Sequence, residues 1–281
     1  MDAFLASLGA SLLSVLVVVL LMVLGKKVDD IRTAFDDDEL VCKQLNLAIG
    51  FRRAGLYLGI AIAMAGVLTG VGPAKLSASL TELALDGLAI LVLLFLAREV
   101  NDRLILKSVR NDTLIEQNNI AVGIAELGSF IATALILNGS FSGDDGGLLV
   151  AAVFFVISQL ALILLTALYG RHKAAESASL QGLVIQGNVA AGCVLAGVMI
   201  ALGCILRVSA SGTFVSWNVD LASFGITALL GVVLLVLLRT ALGRVFVPRI
   251  STSEAIAANN VSAVLIIEGV VVSLAIILMM A

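Results

Sequence analysis

Residues 118–137 read NNIAVGIAELGSFIATALIL, twenty positions carrying one charge, Glu126. At 1.5 Å per residue such a run spans about 30 Å, the thickness of bilayer hydrocarbon, so it predicts a transmembrane helix. Its entry is marked by Asn119, a residue type whose side-chain oxygen accepts from a first-turn N–H. Small residues follow, with Gly123 at the fourth and Gly128 at the ninth position after the Asn. On a helix these two glycines lie about 40° and 180° from the Asn, so neighbours can approach closely from two sides.

The same pattern occurs four times. Asn46, Asn119, Asn188 and Asn260 each open a helix of small residues, and Gly55, Gly128, Gly197 and Gly269 follow nine residues later. The Asn positions are 73, 69 and 72 residues apart. A shift of 141 superposes Arg98 on Arg239, Arg103 on Arg244 and Asn119 on Asn260 without a gap. The chain therefore divides into two halves, 1–140 and 141–281, each of two repeats, and an even number of spans per repeat makes the repeats parallel.

Composition agrees with a membrane bundle. Of the 281 residues, 60% are apolar and 13% charged, and mean hydropathy is +1.14. A water-soluble domain needs about 25% charged residues, so that class is excluded. Apolar runs long enough to span lie near 4–24, 54–71, 80–97, 120–137, 148–169, 189–206, 221–238 and 261–280. The fold class is all-α, a polytopic membrane protein with eight transmembrane helices in four parallel two-helix repeats. The first run lacks a basic stretch before it and reads as a retained span rather than a cleaved leader.

Charge sorts between the two sets of connections. All Lys and Arg but Lys75 and Arg207 fall in the longer ones, near 25–53, 98–118, 170–188 and 239–260. The positive-inside rule then places those connections in the cytoplasm and both termini outside it. Trp217 reads as an interfacial anchor in an outer loop. A net charge of −3 without a basic cluster argues against nucleic acid as a partner. Three Cys and one His at unrelated spacings make no metal site. No cofactor is expected.

Asn-x-Ala opening a small-residue helix, the run Ala97-Arg98-Glu99-x-x-Asp102-Arg103 closing the helix before it, and Ile-Ala-Thr-Ala-Leu-Ile at 131–136 carry a family resemblance. The chain resembles the bacterial inner-membrane family catalogued as domain of unknown function 350, in two tandem copies. The resemblance implies a multi-pass inner-membrane protein of uncharacterised activity and a link to envelope-stress proteins. Ser262 and Val264 depart from the Ala and Gly of the other repeats.

Glu126 and Glu268 are the most informative single residues. Seven and eight residues past their Asn, they lie about 10–12 Å inside the hydrocarbon, where a bare carboxylate costs about 3 kcal/mol. Each is protonated, paired or facing internal water. With the four Asn they form the candidate ion or proton site: Glu126, Glu268, Asn46, Asn119, Asn188 and Asn260. The simpler reading of the Asn is helix capping, the rival one a polar ring at the mouth of a cavity. Gly55, Gly128, Gly197 and Gly269 are read as packing residues, and Arg52 and Arg53 as snorkelling to the headgroups.

Two functions stand. One is a small-ion or proton conduit using the intramembrane carboxylates. The other is a non-transporting scaffold that recruits a cytoplasmic envelope-stress protein through the charged connectors. Membrane lipids and further copies of the chain are the remaining partners. No Ser/His/Asp set, metal cluster or phosphate loop is present in the sequence, so an enzyme is not expected.

Overall fold

In the computed structural model the described residues are 2–68, 76–105, 111–142, 147–172 and 179–280. Each repeat is a long helix, a six-residue helix and a central helix. The first contains α1 (Asp2–Arg32), α2 (Asp37–Cys42) and α3 (Leu47–Leu68); the second α4 (Leu76–Leu104), α5 (Asn111–Glu116) and α6 (Ile120–Ser140). The third contains α7 (Gly147–His172), α8 (Leu180–Ile185) and α9 (Val189–Ala210); the fourth α10 (Trp217–Phe246), α11 (Thr252–Ala257) and α12 (Val261–Met280). Eight of these helices are long and apolar enough to cross a bilayer, and the chain is a multi-pass membrane protein.

Helix boundaries differ from the apolar runs for a physical reason. Apolarity marks where lipid lies, whereas a helix ends where its backbone finds a stop. Helix α1 runs through Lys26, Lys27, Asp29 and Asp30 to Arg32, and α3 begins at Leu47, directly after its capping Asn and well before residue 54. The connectors are not plain loops either, because each holds a short helix. Ser179 and Ser251 cap α8 and α11, the latter in a full capping box with Glu254, and Asp36 caps α2. Trp217 is the first residue of α10 rather than a loop residue, and its indole stacks on Phe154 with ring centroids 6.5 Å apart. Lys75, Lys107, Arg110 and Lys173, counted in the charge sorting, lie outside the described residues.

Between each short helix and its central helix the chain reverses through a residue with positive φ: Leu45, Asn118, Gly187 and Asn259. In the last three repeats the following Asn N–H reaches back five residues, to the carbonyls of Leu114, Leu183 and Ala255. That is the Schellman closure of a helix end. The first repeat has one residue more in this turn, and Asn46 N–H reaches Leu40 instead.

The central helices form one layer in chain order, α3 on α6, α6 on α9 and α9 on α12. The long helices form a second layer, with α4 packed on α3 and α6, α7 on α6 and α9, and α10 on α9 and α12. Glycine sets the spacing within the central layer. A Cβ on Gly123 would lie 2.6 Å from the Ala48 carbonyl oxygen, and one on Gly128 would lie 2.6 Å from the Ala196 Cβ. Neither helix pair could close this far with any side chain at those positions. Val264 occupies the place of Gly123 in the fourth repeat, and α12 packs on α9 less extensively than α9 on α6.

Candidate functional site

The four repeated Asn lie in a row along the connector end of the central layer, and each caps its own helix. Asn46 Oδ1 accepts from Ile49 N–H at 3.0 Å, Asn119 from Val122 at 3.2 Å, Asn188 from Ala191 at 2.8 Å and Asn260 from Ala263 at 3.1 Å. The other half of the amide does something the sequence did not reveal. Asn46 Nδ2 donates to the Ile115 carbonyl at 2.9 Å, Asn119 Nδ2 to that of Ile185 at 2.9 Å and Asn188 Nδ2 to that of Ile256 at 2.8 Å. Each Asn therefore ties its helix to the end of the next repeat's short helix. An open row joined in this way is not a ring.

Gly55, Gly128 and Gly197 each face position eight of the next central helix: Leu127, Ala196 and Glu268. A Cβ on Gly197 would lie 2.8 Å from the Glu268 Cβ, so this glycine makes the space that the acid fills. Gly269 faces open space.

Glu126 belongs to a charge cluster drawn from all of the first six helices. Arg52 is fully buried. It donates to Asp112 at 2.8 Å and Asp29 at 3.1 Å, and its Nε lies 3.4 Å from Glu126 Oε2. Arg98 reaches Asp29 at 2.5 Å, Asp112 at 3.2 Å and Asp102 at 3.6 Å, with its guanidinium over the Phe130 ring. Arg53 holds Asp30 and Asp37, and Lys26 holds Asp30 and Asp38. Burial pushes the Asp37 carboxyl above its ordinary pKa, against the pull of Arg53. The two arginines do not snorkel. At six and seven residues past Asn46 they are about 9–10 Å inside α3, too deep to reach solvent cheaply, and the acids of α1, α2 and α5 come to them.

Among the described residues this cluster joins seven carboxyl groups (Asp29, Asp30, Asp37, Asp38, Asp102, Asp112, Glu126) to four bases (Lys26, Arg52, Arg53, Arg98). Neither oxygen of Glu126 accepts a hydrogen bond among the described residues, although the side chain is 3% exposed. Two small cavities of about 10 Å³ border it. One is shared with Arg98, Asp102 and Thr133, the other with Asn101, Asn111 and Met199. Each is about the size of one water site.

A line of polar side chains leads inward from Glu126. Ser129 lies one turn deeper and accepts from Asn101 Nδ2 at 2.8 Å; that amide also reaches Thr133 at 3.4 Å, and Gln159 Nε2 donates to Asn101 Oδ1 at 2.8 Å. Thr133 is about 21 Å along α6 from Asn119. From the opposite end a cavity of about 190 Å³, lined by Asp86, Ser140, Phe154, Ser209 and Asp220 among others, reaches α7. Phe154, which lines this cavity, lies about one turn of α7 before Ser158 and Gln159.

The second half is built differently. Glu268, 4% exposed, meets both terminal nitrogens of Arg239, one of them at 3.0 Å, and the guanidinium lies 5.0 Å from the centre of the Tyr169 ring. Arg239 also lines a cleft of about 730 Å³ bounded by residues of α7, α9, α10, α11 and α12. Glu126 and Glu268 thus lie in separate sites, on helices that have α9 between them.

Asp29, Arg98, Asn101, Asp102 and Asp112 fall in stretches whose sequence reads as cytoplasmic connections, and none of them stands out there as a site residue. The signal is depth along the helix, as for Glu126. Arg52 lies at the same depth, and two opposite charges at one depth on neighbouring helices call for each other.

A model of the family described as Domain of Unknown Function (DUF350) matches residues 3–141 and again 145–281. No curated protein and no solved structure matches the chain.

Proposed function

This chain belongs to the DUF350 family, two copies in tandem, and on that premise we propose that it is a proton- or small-cation-handling protein of the bacterial inner membrane, with Glu126 as the group that takes up and releases the ion. It works without enzymatic chemistry, and its connector end, where the short helices lie, faces the cytoplasm.

One observation carries this reading: seven carboxyl groups share four bases around a Glu whose oxygens accept no hydrogen bond among the described residues. Asp30, Asp38, Asp112 and Lys26 are more than a third exposed and solvated, so within the cluster four carboxyl groups (Asp29, Asp37, Asp102, Glu126) face three arginines. The one uncompensated negative charge is costly to bury, and the cluster holds a proton or a cation as its missing counter-charge. Asp30 and Asp112, more than a third exposed, are the entry groups. The ion passes from them to Glu126, and Ser129, Asn101, Thr133 and Gln159 supply hydrogen-bonding groups toward the opposite cavity. The Phe154–Phe155 turn is the barrier, and conduction requires it to open or hydrate. Arg52 and Arg98 place fixed positive charge beside Glu126, with which a bound ion must compete. The acidic run at 36–39 is spent on capping α2 and on pairing with Arg53, Lys26 and Lys43, which leaves it little to offer a basic scaffold partner.

The test is flux in proteoliposomes. Under an imposed pH gradient and a counter-ion path, the wild-type chain dissipates the gradient faster than protein-free vesicles. Glu126→Gln abolishes the excess. Glu268→Gln, which disturbs the separate ion pair with Arg239, leaves most of it. Wild-type flux at the protein-free level, for protons and for monovalent cations, overturns the proposal.

A further inference from the structure

The junctions between neighbouring repeats reuse the same contacts. The capping Asn of one repeat donates to the last carbonyls of the next repeat's short helix, as from Asn46 to Ile115, Asn119 to Ile185 and Asn188 to Ile256. The small residue two positions after the Asn faces the Gly four positions after the next Asn, Ala48 against Gly123 and Ala121 against Gly192. The Gly at position nine faces position eight of the next helix, Gly55 against Leu127 and Gly128 against Ala196.

At the two ends of the row both halves of this set are present and unmated. On α12, Asn260 caps its helix but its Nδ2 meets no acceptor among the described residues; Ser262 and Gly269 are exposed, and nothing lies within 4 Å of a Cβ on Gly269. On the first repeat, Gly50 likewise faces open space, and Ala54 and the end of α2 at Val41 and Cys42 are exposed. Glycine inside a helix weakens it relative to alanine, and inside one copy of the chain neither Gly50 nor Gly269 gains a close contact in return.

We propose that a second copy of this chain docks there, α3 of one copy against α12 of the other, extending the central layer head to tail. Asn260 Nδ2 donates to the carbonyls at the end of the second copy's α2. Ser262 faces its Gly50, and Gly269 receives its Ala54. The junction between α6 and α9 is the template, because it already joins the second repeat of one family copy to the first repeat of another. Docking α12 on α3 repeats that step between chains. The contact is heterologous, so the rotation per step decides between a closed ring and an open row.

The test uses the full chain in native membranes with Cys193→Ala and Cys204→Ala. Native Cys42 is paired with Ser262→Cys and treated with a short bismaleimide. Inside one copy these positions lie at opposite ends of the row. The expected result is crosslinked dimers, with larger species if the ring holds more than two copies. Adding Gly269→Leu removes the crosslinks while thermal stability in detergent stays at or slightly above the parent value, since no neighbouring helix of the same copy comes within 4 Å of a Cβ there. Chains that remain uncrosslinked and bleach in single steps in bilayers overturn the proposal. So do crosslinks that form equally well with Cys42 alone, which indicate a symmetric contact instead.

Discussion

Replacing Arg52 by Met tests whether the buried cluster is held together by charge. The side chain is fully buried and meets three acids: Asp29 at 3.1 Å, Asp112 at 2.8 Å and Glu126 at 3.4 Å. Met fills much of the volume and removes the charge. Deleting one partner of a buried ion pair costs about 3–5 kcal/mol, because the remaining charge stays desolvated. Asp112 is more than a third exposed and can rehydrate, so its share is small. Asp29 retains Arg98, leaving Glu126 the most nearly orphaned group, and the lower part of the range, about 3 kcal/mol, is expected. Reversible unfolding in mixed micelles measures it. Adding Glu126→Gln to Arg52→Met should restore about 1–2 kcal/mol, since a neutral amide no longer needs the missing base. A single-variant loss below about 1 kcal/mol, or a double variant that loses the sum of its parts, refutes the electrostatic account.

The Asn residues should differ by position. Asn188→Ala loses a cap and an inter-repeat hydrogen bond, about 2 kcal/mol together, whereas Asn260→Ala in a separated copy loses the cap alone, about 1 kcal/mol. Equal losses in the same unfolding assay would contradict the tie between repeats. Gly128→Ala should destabilise by about 1–3 kcal/mol, because its methyl lands on Ala196, while Gly269→Ala in detergent should be neutral or slightly stabilising; the reverse order of melting temperatures would show that the layer is not spaced by glycine. Finally, the backbone N–H of Ser251, and then its side chain, hold the Glu254 carboxyl below its ordinary pKa. A depressed folded value stabilises α11 fully at neutral pH and is lost as pH falls through that value. Titration of Glu254 observed by NMR should show a midpoint below the ordinary carboxylate range, and one at or above it would remove the capping box from solution.

What could be read from the chain follows from local chemistry. Apolar runs of bilayer length, the fourfold Asn with Gly behind it and the two-half duplication are written in residue types at fixed spacing, and they yield an all-helical membrane protein of parallel repeats. Helix ends were misjudged because hydropathy reports the surrounding lipid, not where the backbone stops. Thus α1 passes through Lys26 to Arg32, and six-residue helices fill stretches that look like charged loops. Partnership was out of reach for a different reason. Asp29 and Arg52 are 23 positions apart, and Arg98 lies farther still from Asp29, so only the packing of α1, α3 and α4 around one point joins them. The repeated Asn likewise shows a cap in its own sequence context, but its second hydrogen bond crosses to another repeat. Short-range pattern fixes which helices form and how deep each charge lies. Which charges then share a site depends on helix neighbours, and that order is set by glycine-permitted contacts no single segment contains.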